Sequence, residues 1–356
     1  MRIALLNLPL DNNYGGNLQR YALVKVLQDM GHDVTHIMLK VHYTLPWYKY
    51  PYSYTKRIIK RFLLRKPVLV KEESYRNQKY EESLDIIMPF YDKYIKHTGV
   101  CYNIRDVVKE TKDVFDVFIV GSDQVWRKDM TSGIGIENYF LKFVEKGKKR
   151  IAYSVSLGGV DMGLSSKEMK IIKSLYNKFY AVSVREMNSI ELFEKAGWTN
   201  PKCLLTLDPV LLLDKADYLK MIKENNTVNK TEGKCFCYIL DNNEQVEEKI
   251  KSNIDIDKVD YIVQSLNENV SIPQWISNIY YAHRIITDSY HGVVLSILFE
   301  KNFFYIGNER RGNTRVSSLL GILGIDASKD SNYSWEMVRD NIYFYRKRSI
   351  AFLKRI

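Results

Sequence analysis

Three stretches of this chain repeat one design: a short apolar run breaks into a polar, glycine-containing loop and then resumes as a helix-compatible run. In the last of them Ile285 and Ile286 lead in, Thr287-Asp288-Ser289-Tyr290-His291-Gly292 interrupts, and an apolar run continues through Phe299 until Lys301-Asn302 stops it. The first runs from Arg2 to Leu8, through Asp11-Asn12-Asn13-Tyr14-Gly15-Gly16, into a helix predicted over Asn17 to Met30. The other has Asp116 to Val120 followed by Gly121-Ser122-Asp123-Gln124-Val125-Trp126. A short apolar run bounded in this way reads as a buried parallel strand that feeds a helix. In an open parallel sheet such loops gather beyond the carboxyl ends of the strands, where helix N-termini offer free N–H groups to an anion. Two readings stand for His291, a locally bonded residue at a helix start or a group that meets a ligand. For the Asp11 to Gly16 loop they are an ordinary turn or part of a site.

The alternation continues between and beyond these loops. Ile151 to Val155 ends in Ser156-Leu157-Gly158-Gly159, Ala181 to Val184 ends in Arg185-Glu186, and Cys203 to Leu207 ends in Asp208-Pro209. It restarts with strands predicted at Lys234 to Leu240, Tyr261 to Val263, His283 to Thr287 and Asn302 to Ile306. At 356 residues with 46% hydrophobic content the chain can bury two cores. The expected fold class is therefore α/β, with two doubly wound, Rossmann-like domains facing across a cleft. The expected boundaries are an N-terminal domain over 1–207, a C-terminal domain over 208–332 carrying the Thr287 to Gly292 motif, and a C-terminal helix over 333–356. Residues 41–100, rich in Tyr, Lys and Arg and holding Pro46, Pro51, Pro67 and Pro89, read as an excursion from the first domain.

Several classes are disfavoured. The first loop lacks the dinucleotide glycine spacing, so nicotinamide and flavin readings gain nothing from it. Cys101, Cys203, Cys235 and Cys237 have neither disulfide nor zinc-knuckle spacing and read as core fillers, and no His-Glu helical pair announces a metal site; no metal and no cofactor are expected. No run of about 18 apolar residues and no secretory pattern is visible, so the expected compartment is the cytoplasm. A formal charge of +11 implies an acidic partner: nucleic acid, a phosphorylated metabolite or an anionic membrane. The excess is local, because no acidic residue occurs from Val34 to Lys71 while Lys49, Lys56, Arg57, Lys60, Arg61, Arg65, Lys66 and Lys71 all do. From Tyr54 to Arg65, Ile58, Ile59, Phe62 and Leu63 fall toward one side of a helix and the cations mostly toward the other. That pattern suits a helix lying on a membrane as well as one packed on its own domain with a solvated basic face.

Five segments in order, Asn13-Tyr14-Gly15-Gly16-Asn17-Leu18-Gln19-Arg20-Tyr21-Ala22-Leu23, Ile119 to Trp126, Val182-Ser183-Val184-Arg185-Glu186, Leu207-Asp208-Pro209 and Thr287 to Gly292, resemble the successive motifs of the polysaccharide pyruvyl transferase family. The resemblance covers nearly the whole chain except 41–100 and the C-terminal helix. It implies a fold similar to GT-B glycosyltransferases. It also implies transfer of the enolpyruvyl unit of phosphoenolpyruvate to a sugar, ending as a pyruvate ketal on a surface polysaccharide or its lipid-linked precursor. The implied partners are then phosphoenolpyruvate and a saccharide acceptor, with peripheral contact to the anionic inner face of the cytoplasmic membrane and without nucleic acid.

The donor's carboxylate and phosphate call for guanidinium forks and helix N-termini. By the resemblance, Arg185 is the clamp and His291 the general acid or base, a role suited to an imidazole. Some branches of the family carry an arginine where this chain has Ser289, so the donor contact there is a hydroxyl, or comes from Arg315 or from Arg310 and Arg311. Asn13, Gly15, Asn17, Gln19, Ser122, Asp123, Gln124, Glu186 and Asp288 are the expected substrate contacts. Two other readings remain: a nucleotide-sugar glycosyltransferase on the same plan, with Asp288 on the ribose, and a non-catalytic membrane-associated assembly factor that works through the 54–66 helix.

Overall fold

Among the described residues the apolar runs become ten strands: β1 (Arg2–Leu6), β2 (Asp33–His36), β3 (Val117–Val120), β4 (Lys149–Val155), β5 (Ala181–Val184), β6 (Cys203–Leu205), β7 (Cys235–Tyr238), β8 (Tyr261–Gln264), β9 (Arg284–Thr287) and β10 (Asn302–Tyr305). The structure is a computed structural model and describes all residues except 132, 159–161, 254–259, 265–269, 309–312 and 327–332. Gly159, Arg310 and Arg311 therefore lie outside the described residues.

The strands form two all-parallel sheets, β2-β1-β3-β4-β5-β6 and β10-β9-β7-β8. Parallel strands need crossover helices, which cover both faces and leave the loops at the carboxyl ends free. In the first sheet the strand order reverses between β1 and β3, which pair through Ile3 and Val117; in the second it reverses between β7 and β9, which pair through Phe236 and Ile285. A ligand crevice opens at such a reversal. The first and last motif loops thus sit at the reversal points of facing sheets, in a GT-B-like arrangement.

The two halves are not isolated cores. Helix Tyr14–Asp29 follows β1 and is buried on nearly all sides, because it is sandwiched between the sheets. The Tyr14 ring lies 6.2 Å from that of Tyr238 and 5.6 Å from that of Trp275, and one continuous apolar cluster joins Ile3 and Leu5 to Phe236 and Ile285. The helix begins at Tyr14, three residues before the Asn17 start expected from the sequence, so Gly15 and Gly16 belong to its first turn. Helix Trp335–Leu353 returns the chain to the first sheet: Leu207 N donates to Ser349 Oγ at 2.9 Å, and the Phe352 ring lies 6.0 Å from Tyr153.

The excursion separates into an anchored and an exposed part. Helix Glu72–Leu84 is fixed to the body by Tyr80, whose hydroxyl donates to Leu10 O at 2.6 Å and accepts from Val41 N at 3.1 Å. Helix Tyr50–Ile58, continued by a wider turn over Ile59–Leu63, has no fully buried residue. Ile58, Ile59, Phe62 and Leu63 are exposed, so this helix is not packed on its own domain. Arg57 differs from the other cations, since its guanidinium forks onto Glu73 at 2.7 Å.

Candidate active site

A cleft of about 1010 Å³, counted with its open mouth, lies between the sheets. One wall is the loop after β1 with the start of helix Tyr14–Asp29: Leu8, Pro9, Asp11, Asn13, Gly16, Gln19 and Arg20. Asp123, Gln124 and Arg127 follow β3. The opposite wall is Leu240 after β7, then Asp288, Ser289, Tyr290 and His291 after β9, with Tyr305 and Arg315 beside them.

Two helix N-termini point into this space. Asn13 caps the first, accepting from Gly16 N at 3.2 Å, and Ser289 caps helix Tyr290–Leu298, accepting from Gly292 N at 3.3 Å. Caps of this kind satisfy one donor and leave others in the first turn for a ligand. Gly15 is required by a close approach rather than by its own dihedral angles. A Cβ at this position would lie 2.2 Å from His291 Nδ1 and 2.5 Å from His291 Cβ, so the first and last motifs meet through that missing methyl.

Behind the cleft wall is a buried charge network. His291 Nε2 lies 3.5 Å from Asp208 Oδ2, and the same oxygen accepts from Arg185 NH1 at 2.6 Å. The other arm of the Arg185 fork donates to Asp123 Oδ1 at 2.6 Å, and Arg315 NH1 lies 3.5 Å from that oxygen. Tyr290 spreads its ring beneath both guanidinium groups, 4.5 Å from Arg185 and 5.5 Å from Arg315. Burial works to raise the Asp123 carboxyl, but Arg185, Arg315 and His291 outweigh it and hold the group down at about 2. Burial also works against ionised Asp208, and His291 with Arg185 keeps its carboxyl below the usual range. Burial alone would lower Arg185, and Asp123, Tyr290, Asp208 and Glu186 raise it instead.

Arg20 and Arg315 are in the opposite condition. Both line the cleft and are buried, and burial lowers both below the usual arginine value, repulsion from Arg185 adding to the effect at Arg315. Arg20 donates to two neutral oxygens, Asn17 Oδ1 at 2.5 Å and Leu8 O at 3.0 Å, while its Nε is buried without a partner. No carboxylate among the described residues stands within ion-pair distance of it.

Of the residues singled out from sequence, Asn13, Gln19, Asp123, Gln124, Asp288, Ser289, His291 and Arg315 line the cleft. Arg185 does not: its fork is held by Asp123 and Asp208, and the side chain is 1% exposed. Ser122 is buried with its hydroxyl donating to Ser154 O at 2.9 Å. Glu186 accepts from Ser156 Oγ at 2.5 Å and from Ser189 Oγ at 3.0 Å, also out of reach. Asn17 braces the first loop, donating to Asp11 O at 2.9 Å and to Asn13 O at 3.0 Å. Asp288 faces the cleft but accepts from Leu240 N at 2.7 Å and Asp241 N at 3.0 Å, stitching the β7 and β9 loops together. Arg20, Arg127, Tyr290 and Asp208 were not among the expected site residues. For Arg20 a signal existed, a cation amid the apolar residues of a helix that reads as buried.

A family model described as polysaccharide pyruvyl transferase matches residues 13–310. The chain belongs to that family. The match takes in the start of helix Tyr14–Asp29 and the loops after β3, β5, β6 and β9, whose side chains contribute to the cleft and the charge network behind it. No curated protein sequence matches this pyruvyl transferase family member. Similar solved structures include an alpha-glucosyltransferase in complex with UDP and a 13-mer DNA, at 10% identity and TM-score 0.46, covering 99% of this chain and 95% of that one. Another is the UDP-GlcNAc 2-epimerase of Methanocaldococcus jannaschii with UDP-GlcNAc and UDP, at 10% identity and TM-score 0.46, covering 97% and 99%. The Neisseria meningitidis UDP-GlcNAc 2-epimerase gives 10% identity and TM-score 0.45, covering 99% and 94%. Among the described residues no helix is long and apolar enough to cross a membrane, and no group of three His, Cys, Asp or Glu side chains is placed to hold a metal ion.

Proposed function

We propose that this family member moves the enolpyruvyl unit of phosphoenolpyruvate onto a sugar of a surface polysaccharide or its lipid-linked precursor, closing a pyruvate ketal. The work is done at the inner face of the cytoplasmic membrane by a peripherally attached enzyme. The cleft lies between units 1–207 and 208–332, with 333–356 returning to the first. The observation that carries the reading is Arg20, a buried guanidinium on the cleft wall with only neutral partners. Burying an uncompensated charge is costly, and an anionic ligand would relieve the cost. Arg315 lines the other wall of the same space, and the two helix N-termini add their dipoles.

His291 then moves the protons. A proton adds to the methylene carbon, a sugar hydroxyl oxygen bonds to the adjacent carbon, and that hydroxyl gives up its proton. The carbon–oxygen bond to phosphate breaks, phosphate departs with the electron pair, and a second hydroxyl closes the ring as it loses its proton. One donor and one diol thus give one ketal and one phosphate. Because Nε2 is shut off from solvent beside Asp208, Nδ1 is the ring atom left to reach a ligand. Asp208 stands against Nε2 and fixes the ring, and Arg185 fixes Asp208.

A thermal-shift screen with phosphoenolpyruvate, inorganic phosphate and uridine or guanosine nucleotides tests the donor. Phosphoenolpyruvate at about 100 times its Kd should stabilise the protein by about 2.7 kcal/mol. Stabilisation by a nucleotide and not by phosphoenolpyruvate would replace this reading with nucleotide-sugar transfer. His291→Ala should keep the fold and lose about 100-fold or more in turnover; undiminished turnover would remove His291 from the reaction.

A further inference from the structure

The arm over 47–66 combines two properties that rarely coexist on a free surface. Its apolar side chains are turned outward, with Trp47 84%, Phe62 71% and Leu63 78% exposed, and Ile58, Ile59 and Leu64 exposed beside them. Its charges are all of one sign. Among the described residues none of Lys49, Lys56, Lys60, Arg61, Arg65 and Lys66 is paired with a carboxylate, and Arg57 alone is tied to Glu72 and Glu73. A shallow groove of about 570 Å³ runs along the arm between Tyr52, Thr55, Lys56, Ile59, Lys60 and Leu64, apolar along its floor and with the two lysines on it.

We infer that this arm docks the protein on an anionic lipid surface. An aromatic pair at the start of the arm, Trp47 and Tyr48, is the residue chemistry that settles at headgroup depth. The aliphatic side chains enter the acyl boundary while the long cations stay with the headgroups. Charge decides between this occupant and others. A second copy of the chain would bring two unpaired cationic arms together, and a nucleic acid would take the cations but leave Ile58, Ile59, Phe62, Leu63 and Leu64 without a role. An anionic bilayer satisfies both sets at once. The arm is fixed at its root to the cleft, because Arg57 holds Glu73 on helix Glu72–Leu84 and Tyr80 of that helix holds Leu10 O, beside the cleft residues Pro9 and Asp11. Docking therefore holds the rim of the cleft near the leaflet, where a lipid-linked saccharide would be met. That last step rests on the function proposed above, whereas the docking itself does not.

The test is co-sedimentation of the purified full chain, without donor or acceptor, on phosphatidylcholine vesicles and on vesicles of equal parts phosphatidylcholine and phosphatidylglycerol. Binding is expected only to the second kind, fading as sodium chloride rises. Near an anionic surface each cation contributes about fivefold, so Lys60→Gln with Arg61→Gln should weaken binding about 25-fold at low salt. Phe62→Ser with Leu63→Ser should weaken it further at high salt, where charge is screened. All four side chains are outside the core, so unchanged thermal unfolding certifies the variants. Equal recovery in the supernatant with both vesicles, or binding indifferent to both double variants, would overturn the inference. So would self-association in light scattering that Phe62→Ser with Leu63→Ser abolishes in a chain that ignores vesicles. Because no substrate is present, failure of the donor screen leaves this result untouched.

Discussion

Gly15→Ala isolates the contact between the first and last motifs. The added methyl would sit 2.2 Å from His291 Nδ1, 2.3 Å from Cγ and 2.5 Å from Cβ. Ordinary contact is near 3.5 Å, so the two must part by about 1.3 Å. Rotating the ring does not help, because the clash includes the root of the side chain. Gly15 hangs from β1 and His291 from β9, so either the sheets separate or His291 leaves its place beside Asp208. Overpacking costs about 1–3 kcal/mol, and the helix preference of alanine returns about 1 kcal/mol. The net loss of about 2 kcal/mol or less should leave a folded protein whose melting point falls by only a few degrees. Turnover should suffer far more, since a displacement of about 1 Å in a reacting group typically costs about 100-fold. The assay is phosphate release from phosphoenolpyruvate with an accepting sugar, confirmed by the mass of the pyruvylated product, beside thermal unfolding. Gly16→Ala is the stability control, as its methyl would meet Asn13 at an ordinary 3.4 Å. Wild-type turnover by folded Gly15→Ala protein would refute the reasoning.

Arg20→Lys should raise the KM for the donor more than it lowers kcat, because an ammonium cannot reproduce the planar fork; an unchanged KM would take Arg20 off the donor. Arg185→Met should act on stability, leaving Asp123 and Asp208 without their shared cation at a cost of about 3–5 kcal/mol, measured by urea unfolding. A raised KM with undiminished stability would instead restore Arg185 to the donor. The Asp123 carboxyl is held at about 2, below its unfolded value of 3.8. Its contribution of about 2 kcal/mol is present above the unfolded value and is lost as pH falls through about 2. Urea unfolding at successive acid pH values should show that loss, and Asp123→Asn should flatten it.

What the sequence determined is local and periodic. Alternating apolar runs and loops specify strands, helices and parallel pairing, because a buried strand and its crossover helix each write their own pattern into neighbouring residues. The order of the five motifs carried the family and the neighbourhood of the cleft in the same way, since each motif ends a strand and all strands of a parallel sheet end on one side. Which member of a motif faces a ligand is set elsewhere. Asn17 and Arg20 are one helical turn apart, yet one braces the loop and the other lines the cleft, because the opposite sheet packs across that helix. Arg185 reads as a clamp from its motif alone, and only the tertiary structure brings Asp123 and Asp208 within 2.6 Å of it from other strand ends. The 54–66 helix shows the same division from the other side. Its amphipathic pattern fits a packed helix and a membrane-facing one equally, since both ask for the same spacing of apolar residues. Only the tertiary structure decided that Ile58, Ile59, Phe62 and Leu63 are exposed among the described residues. Periodicity records which residues share a face; what that face meets depends on groups distant in sequence, and distance and burial then determine whether a charge is spent or available.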